Sequence, residues 1–466
     1  MADPIPQPGG VPGRAESWPV FDPYDPGRTA FHTADGRLSQ GAVLARAAAL
    51  AERLPAAAQV ANYCESRLQF TVALLAAWLR GQTAVFPADR TAHSLQRLCD
   101  SVDGLYALAE RGCPLELPDP VFVDDLDTAG APPAEAPRIP CDRLAVQVFT
   151  SGSTGTPKRN DKTWGMLAAG GKTIPAMLGL DALDGASVVA TVPSQHMYGF
   201  EMTAMYALQG GAAIHDGRPM YAADVAEALH AVPAPRVLVT TPPHLRALVE
   251  SAVALPELAA AISATAPLGE PLAAAAEDRL GAPVREIYGF TEAGSVAGRR
   301  TLDGEVWRLR GDYRAERRGE GTGGSEAVVH WPALECDIAF PDVVEVLDER
   351  RIRLRGRAQD LVNVAGKRAS LSGLTSQLLE IPGVEDGVVV QPGEDDGGGR
   401  VGRLVAFAVA PELDRAAVLR ALRQRLDPAF VPRRLVLLDA LPRNATGKLL
   451  QADLDALVRR HAGRRD

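Results

Sequence analysis

From Ser39 onward, short apolar runs alternate with amphipathic segments, and no other feature limits the fold of this chain as tightly. A helix-patterned SQGAVLARAAALAERL precedes a strand-patterned QVANYC, a helix-patterned FTVALLAAWLRG and a strand-patterned TAVFP. The alternation returns at SVVATV (187–192), AAIH (212–215), RVLVT (236–240), ISAT (262–265) and VREIY (284–288), each followed by a turn or helix signal. Such a pattern means α/β layers, here stacked and mostly parallel sheets with helices. After Gly294 the texture changes. GEVWRLR, EAVVHW and VVEVLD read as short antiparallel strands of a small β lobe, separated by the Gly-rich RRGEGTGGSE. RIRLRG (351–356) ends near Arg357, and beyond it GVVV and RLVAFAVA alternate with helix-patterned stretches at 371–380 and 414–426. That is a compact α+β unit of about 100 residues. A chain of 466 residues is too long for one ordinary core. The expected division is a large domain, 1–357, and a small mobile C-terminal domain, 358–466.

Charge and cysteine usage narrow the partners. A net charge of −9 opposes nonspecific attraction to nucleic acid or anionic lipid. Cys64, Cys99, Cys113, Cys141 and Cys336 are dispersed without a CxxC pair, so neither a zinc cluster nor a disulfide framework is indicated, and a reducing cytoplasm fits best. The opening MADPIPQPGGVPGR lacks the apolar core of a signal peptide, and no run reaches the roughly 18 apolar residues of a membrane span. Secretion and membrane insertion are not expected.

FTSGSTGTPK (149–158) packs glycines, hydroxyls and a lysine behind the apolar run Leu144 to Val148. Glycine lets backbone N–H groups approach an anion, Ser and Thr add donors, and Lys158 adds charge, which suits a phosphate cradle. A loop of this composition alone is as readily a flexible surface turn. The spacing is not GxxxxGK[ST], because Pro157 stands where the second glycine belongs; GGKT at 170–173 fails too, with Met166 at the first required glycine.

Three further motifs follow in order: YGFTEAG (288–294), RGRAQDLVNVAGKR (355–368) and LPRNATGKL (441–449). With the loop, they make the chain resemble the adenylate-forming superfamily of acyl- and aryl-CoA synthetases, nonribosomal adenylation domains and luciferases, from about residue 40 to the end. RGQTAVFPADRTAHSL, PSQHMYGFE and KTWG are similar, more narrowly, to the ligases of aryl-polyene and xanthomonadin pigment pathways. The resemblance implies joining a carboxylic acid to the α-phosphate of ATP with Mg2+, then passing the acyl group to the thiol of coenzyme A or of the phosphopantetheine arm of an acyl carrier protein.

The resemblance also implies roles. Thr150, Ser151, Gly152, Ser153, Thr154, Gly155 and Lys158 hold the β- and γ-phosphates. Tyr288 stacks on adenine, and Thr291 and Glu292 meet the α-phosphate and the magnesium ion, a hard cation suited to carboxylate and phosphate oxygens. Read by themselves, Tyr288 is core and Glu292 a helix-capping acid. Ala266, Pro267 and Leu268 lie where the family's adenine wall usually reads GGAPL, with the glycines absent. Asp342 matches the aspartate that grips the ribose, although Phe340 and Pro341 replace its usual neighbours. Arg357 matches the arginine that ends the large domain. Lys448 corresponds to the mobile-domain lysine that bridges carboxylate and α-phosphate, and Gly366 lies in the segment that admits the thiol.

Other positions stay open. His196 falls where acyl-CoA synthetases often place a gating residue, and is as readily structural. Tyr198 and Phe200 offer a planar ligand aromatic surface or are core. Glu201 complements a helix N-terminus, or serves as the only nearby acid for an amino-acid substrate. Arg350, Arg351, Arg353 and Arg355 alternate with Ile352 and Leu354 as a solvated strand face or a docking patch for an acidic carrier. Gln359 replaces the acidic or lysine hinge before Asp360, and Arg159 replaces the glycine after the loop lysine. The competing functions are an amino-acid adenylation domain, a medium- or long-chain fatty-acyl ligase, and a silent nucleotide-binding regulator. Intact Lys158, Glu292, Arg357 and Lys448 speak against the last.

Overall fold

The computed structural model describes residues 17–87, 90–124, 130–150, 158–181, 183–321, 324–331, 336–357, 361–364, 367–392, 403–443, 449 and 451–462. The expected α/β architecture is present. One sheet of six strands runs in the order Lys158–Thr163, Leu144–Thr150, Thr83–Phe86, Gln59–Asn62, Tyr106–Ala109, Val121–Phe122, parallel except for the hairpin of the first two. A second sheet of eleven has a parallel centre: Val284–Phe290, Ala260–Ser263, Arg236–Thr240, Ser187–Ala190, Ala213–His215 and Thr29–Thr33. Short hydrophobic strands buried on both faces are what a parallel sheet sandwiched by helices requires.

The helices begin where capping chemistry places them. Ser39 accepts from the Ala42 N–H at the start of Gln40–Arg53, and Ser66 accepts from Gln69 at the start of Arg67–Leu79. Arg67–Leu79 is apolar nearly all round and buried on almost every side, because it lies inside the core with Phe70, Leu74 and Trp78 fully enclosed. The segment Met197–Gln209 is helical with a π-type stretch at Glu201–Met205.

The sequence reading of the β lobe needs correction. GEVWRLR and VVEVLD form Val306–Leu309 and Asp342–Asp348, which belong with Gly294–Arg300 and Arg351–Arg357 to the antiparallel end of the eleven-stranded sheet. The separate lobe is a three-stranded sheet, Arg314–Gly321, Gly324–Trp331 and Cys336–Ala339, and the described residues of the Gly-rich stretch read as a separator are paired ends of its first two strands. Cross-strand pairing there outweighs the weak strand preference of glycine.

After Arg357, Leu361–Val364 pairs with Lys367–Ser370, and Asp386–Val390, Val405–Val409 and Arg434–Leu437 make a three-stranded sheet. Helices Leu371–Leu379 and Arg415–Arg425 close a core of their own around Leu378, Ala406, Val418 and Leu422. Among the described residues no helix is long and apolar enough to cross a membrane.

Candidate active site

The carboxyl ends of the parallel strands, where open α/β sheets bind ligands, carry a buried polar cluster. The Thr191 and Thr240 hydroxyls lie 3.1 Å apart, and His244 Nδ1 is 2.8 Å from the Thr241 hydroxyl. Tyr198 directs its hydroxyl at the carbonyls of Thr240 and Ile262, at 3.0 and 2.9 Å, so its ring is fixed across two strand ends, and burial pushes its ionisation well up. His196, half-buried, precedes the helix that carries Tyr198. Phe200 is core: it is fully enclosed, with Phe86 and Phe70 ring centroids at 5.1 and 6.4 Å.

Strands Val284–Phe290 and Gly294–Arg300 are joined by a tight turn that presents Thr291 and Glu292, both half-buried. Three backbone groups of this turn are held from beneath. The Glu292 carbonyl accepts from the Lys162 ammonium. The Ala293 carbonyl accepts from the Tyr313 hydroxyl at 3.3 Å. The Ser295 N–H and hydroxyl both donate to the Glu201 carboxylate, at 3.0 and 2.6 Å to Oε2. Glu201 also lies 3.6 Å from the Arg310 guanidinium, which donates to Tyr313 at 2.8 Å. Gly294 is required here: its φ is +72°, and a Cβ would stand 2.6 Å from Glu201 Oε1. Lys162 is 3% exposed, and burial pulls its ammonium down to about 8 against the opposing pull of Glu201 and Glu292.

Tyr288 and Asp342 come together. The Tyr288 hydroxyl donates to Asp342 Oδ2 at 2.6 Å, although three strands separate their own in the sheet order. A flat sheet would hold these strands about 19 Å apart at the usual interstrand spacing. The antiparallel end therefore curls on itself. The curl stacks Tyr288 on Phe340 at 21°, with Phe290 and Trp307 beside it. It also brings the backbone of Arg357, paired opposite Asp342, to this wall.

The strands that flank the phosphate-loop segment pair as an antiparallel hairpin. Thr150 pairs with Lys158 at its base, and the helix Trp164–Leu178 starts only after the strand Lys158–Thr163. Its residues Ser151, Gly152, Ser153, Thr154 and Gly155 lie outside the described residues, as do Gly366 and Lys448. At the adenine-wall stretch, Thr265 adopts φ +77°, a region costly for a β-branched side chain and easy for the glycine it replaces. On the arginine strand, Arg353 and Arg355 pair with Glu305 and Glu345, Arg351 pairs with Asp348, and Arg350 binds the carbonyls of Leu309, Gly311 and Tyr313. Three of the four arginines are paired with carboxylates and the fourth is bound to carbonyls, which favours the solvated strand over the carrier patch.

Comparison with known proteins decides the family. Residues 23–320 match the model of the AMP-binding enzymes, and 375–448 that of the AMP-binding enzyme C-terminal domain. The chain belongs to the AMP-binding enzyme family. It is an adenylate-forming acid–thiol ligase, activating a carboxylic acid with ATP and passing the acyl group to a thiol. It is 30% identical over 308 residues to a 4-coumarate–CoA ligase of Rhodobacter capsulatus, covering 64% of this chain and 73% of that protein. In fold it is similar to the o-succinylbenzoate CoA synthetase of Bacillus subtilis, at a TM-score of 0.77 and 21% identity over 94% of this chain and 98% of that one. The anthranilate CoA ligase AuaEII gives 0.79 and 16% over 96% and 98%.

In this ligase the sequence reading missed Lys162, Arg310 and Ser295. A signal for the first was present: in KRNDKT, Asn160 and Lys162 share one strand face and are buried, while Arg159 and Asp161 are exposed and paired with each other. Arg310 and Ser295 carried no comparable mark, since their roles arise only from contacts across the fold.

Proposed function

We propose that the acid is aromatic, of hydroxybenzoate type, or short acyl, and that the thiol is the pantetheine thiol of coenzyme A or of an acyl carrier protein. The observation that carries the acid assignment is Tyr198, whose ring is pinned by two strand-end carbonyls beside His196. A rigid aromatic wall at that place suits a planar acid better than a long flexible chain. The narrower resemblance of PSQHMYGFE and KTWG to pigment-pathway ligases, and the aromatic acids in the names of the relatives, support the same reading. An amino-acid substrate is disfavoured, because Glu201 is buried and spent on Ser295 and Arg310.

The roles follow from the chemistry of each group. Tyr288 offers a face to adenine, and Asp342, already oriented by the Tyr288 hydroxyl, takes the ribose. Thr150, the loop 151–157 and Lys158 take the outer phosphates. Thr291 and Glu292 face the α-phosphate. Among the described residues no cluster of three His, Cys, Asp or Glu side chains could hold a metal. One carboxylate is nonetheless the donor set that Mg2+ takes when substrate phosphates complete its shell. Bound at Glu292, the ion would neutralise phosphate charge. His196 gates the acid site. Residues 358–466 act as a mobile domain beyond Arg357, bringing Lys448 to the carboxylate in one state and Gly366 to the thiol in the other. Two buried cations, Lys162 and Arg310, lie beneath the Glu292 turn with the buried anion Glu201, so the turn rests on fixed charge.

The test is acid-dependent pyrophosphate release across hydroxybenzoates, cinnamates, octanoate and palmitate, followed by thioester formation with coenzyme A and, separately, with a phosphopantetheinylated carrier. Turnover is expected with the planar acids. A clear palmitate preference would leave a fatty-acyl ligase.

A further inference from the structure

The strand that leaves the phosphate hairpin and the turn that presents Glu292 belong to different sheets, yet one buried side chain joins them. Lys162 lies on the strand Lys158–Thr163, and its ammonium donates to the Glu292 carbonyl. The turn's other side is gripped by Glu201 through Ser295, and Glu201 is itself braced by Arg310, whose guanidinium also reaches the Gly170 carbonyl at 3.4 Å.

A structural role alone gives a poor account of this arrangement. Glu201 and Arg310 already balance each other, so Lys162 is a second cation in the interior. An apolar side chain of similar length would avoid its desolvation. A thioether in its place would fill the same volume and leave a neutral Glu201–Arg310 pair. What the ammonium supplies, and the thioether lacks, is a donor on the Glu292 carbonyl and a fixed charge behind the turn.

We infer that Lys162 is a positioning residue for adenylation, locking the Glu292 turn to the phosphate hairpin so that metal-bearing and phosphate-bearing elements keep one spacing. The inference rests on the reading of Glu292 as the magnesium carboxylate. It concerns the first half-reaction only, because transfer from acyl-AMP to the thiol needs no outer phosphates and no metal bridging them. Lys162→Met is therefore expected to fold, with a melting temperature no lower than that of the parent, while ATP handling suffers.

The experiment measures equilibrium binding of a nonhydrolysable ATP analogue to the full chain during Mg2+ titration, with steady-state KM values alongside. In Lys162→Met the half-saturating Mg2+ concentration and the KM for ATP should rise about ten- to a hundredfold, the scale of a lost charge-assisted contact. The KM for the acid, and the rate from synthetic acyl-AMP plus thiol, should hold. Lys162→Arg should restore most of the Mg2+ response. In a Glu292→Gln background, Lys162→Met should add nothing to the Mg2+ shift, because both changes act through one element. Ser295→Ala loosens the turn from its other side, keeps Lys162, and should shift the Mg2+ response in the same direction by less.

Different failures have different meanings. If Glu292→Gln moves the Mg2+ response and Lys162→Met does not, the coupling is wrong and the Glu292 reading stands. If Glu292→Gln moves nothing, that reading falls and the inference with it. Equal losses in the adenylation and thioester steps, or additive Mg2+ shifts in the double variant, overturn the positioning role and leave Lys162 as a packing residue.

Discussion

Tyr288→Phe removes one oxygen and leaves the aromatic wall. The ring keeps its contacts with Phe340, Phe290 and Trp307, so the stacking surface is conserved. What goes is the 2.6 Å hydrogen bond to Asp342. A hydrogen bond to a charged acceptor contributes about 1.5 to 3 kcal/mol, and because both residues are half-exposed, water can partly replace the donor, which places the loss at or below about 1.5 kcal/mol. If the hydroxyl orients the carboxylate for the ribose, that loss appears as a KM for ATP raised about three- to tenfold, with kcat and the KM for the acid nearly unchanged. The contact can be isolated with 2′-deoxy-ATP. The parent enzyme should discriminate against it, and Tyr288→Phe should discriminate less, since its carboxylate is no longer aimed. Pyrophosphate release under matched acid saturation measures all four combinations. Equal penalties for ATP and 2′-deoxy-ATP in the variant, or an unchanged KM for ATP together with a lowered melting temperature, would refute the reasoning and reduce the pair to a tether holding the curled sheet.

The remaining predictions concern the two half-reactions and acid stability. Lys448→Ala should slow acyl-AMP formation by several orders of magnitude while sparing thioester formation from synthetic acyl-AMP, and Gly366→Leu should do the reverse; equal impairment of both steps by Lys448→Ala would end the alternation reading. His32, buried and 3.2 Å from the Ser187 hydroxyl, is pulled down to about 4 by burial, with Arg37 and His215 adding to the effect. The unfolded chain takes up a proton near pH 6.5 that the folded chain refuses until about pH 4, so stability falls with pH across that window by up to about 3 kcal/mol. His32→Gln should flatten the melting-temperature profile between those limits, and an unchanged profile would assign the acid lability elsewhere.

Local chemistry was legible and closure was not. RVLVT forms a strand over the same five residues, and the SQGAVL helix starts at its serine cap, because apolar period and capping act within a few residues. The Gly-rich RRGEGTGGSE misled for the opposite reason. Its strand state is stabilised by a partner strand, and no local preference announces one. Lys162 and the partners of Glu201 were hidden in a similar way. A lysine in a polar strand looks solvated, a glutamate after an aromatic run reads as a helix-end or pocket acid, and only a fold that stacks two sheets makes them neighbours of one turn.

The assembly of Tyr288, Asp342 and Arg357 shows how much of the site depends on that closure. The parallel centre of the large sheet sends its strands one way, so their carboxyl ends line up along a single edge. A nucleotide needs a second wall at an angle to the first. Continuing the sheet in antiparallel strands permits short connections, and each added strand adds right-handed twist. Four such strands, Gly294–Arg300, Val306–Leu309, Arg351–Arg357 and Asp342–Asp348, turn far enough for the last to meet the side chain of Tyr288. Asp342 and Arg357 then arrive as a pair, because the register places them opposite each other. The turn at 291–293 begins the curl, and the buried groups Lys162, Glu201 and Arg310 hold it where it begins. On the proposed roles, the place of the adenine wall relative to the phosphate hairpin depends on the same few side chains that set the place of Glu292.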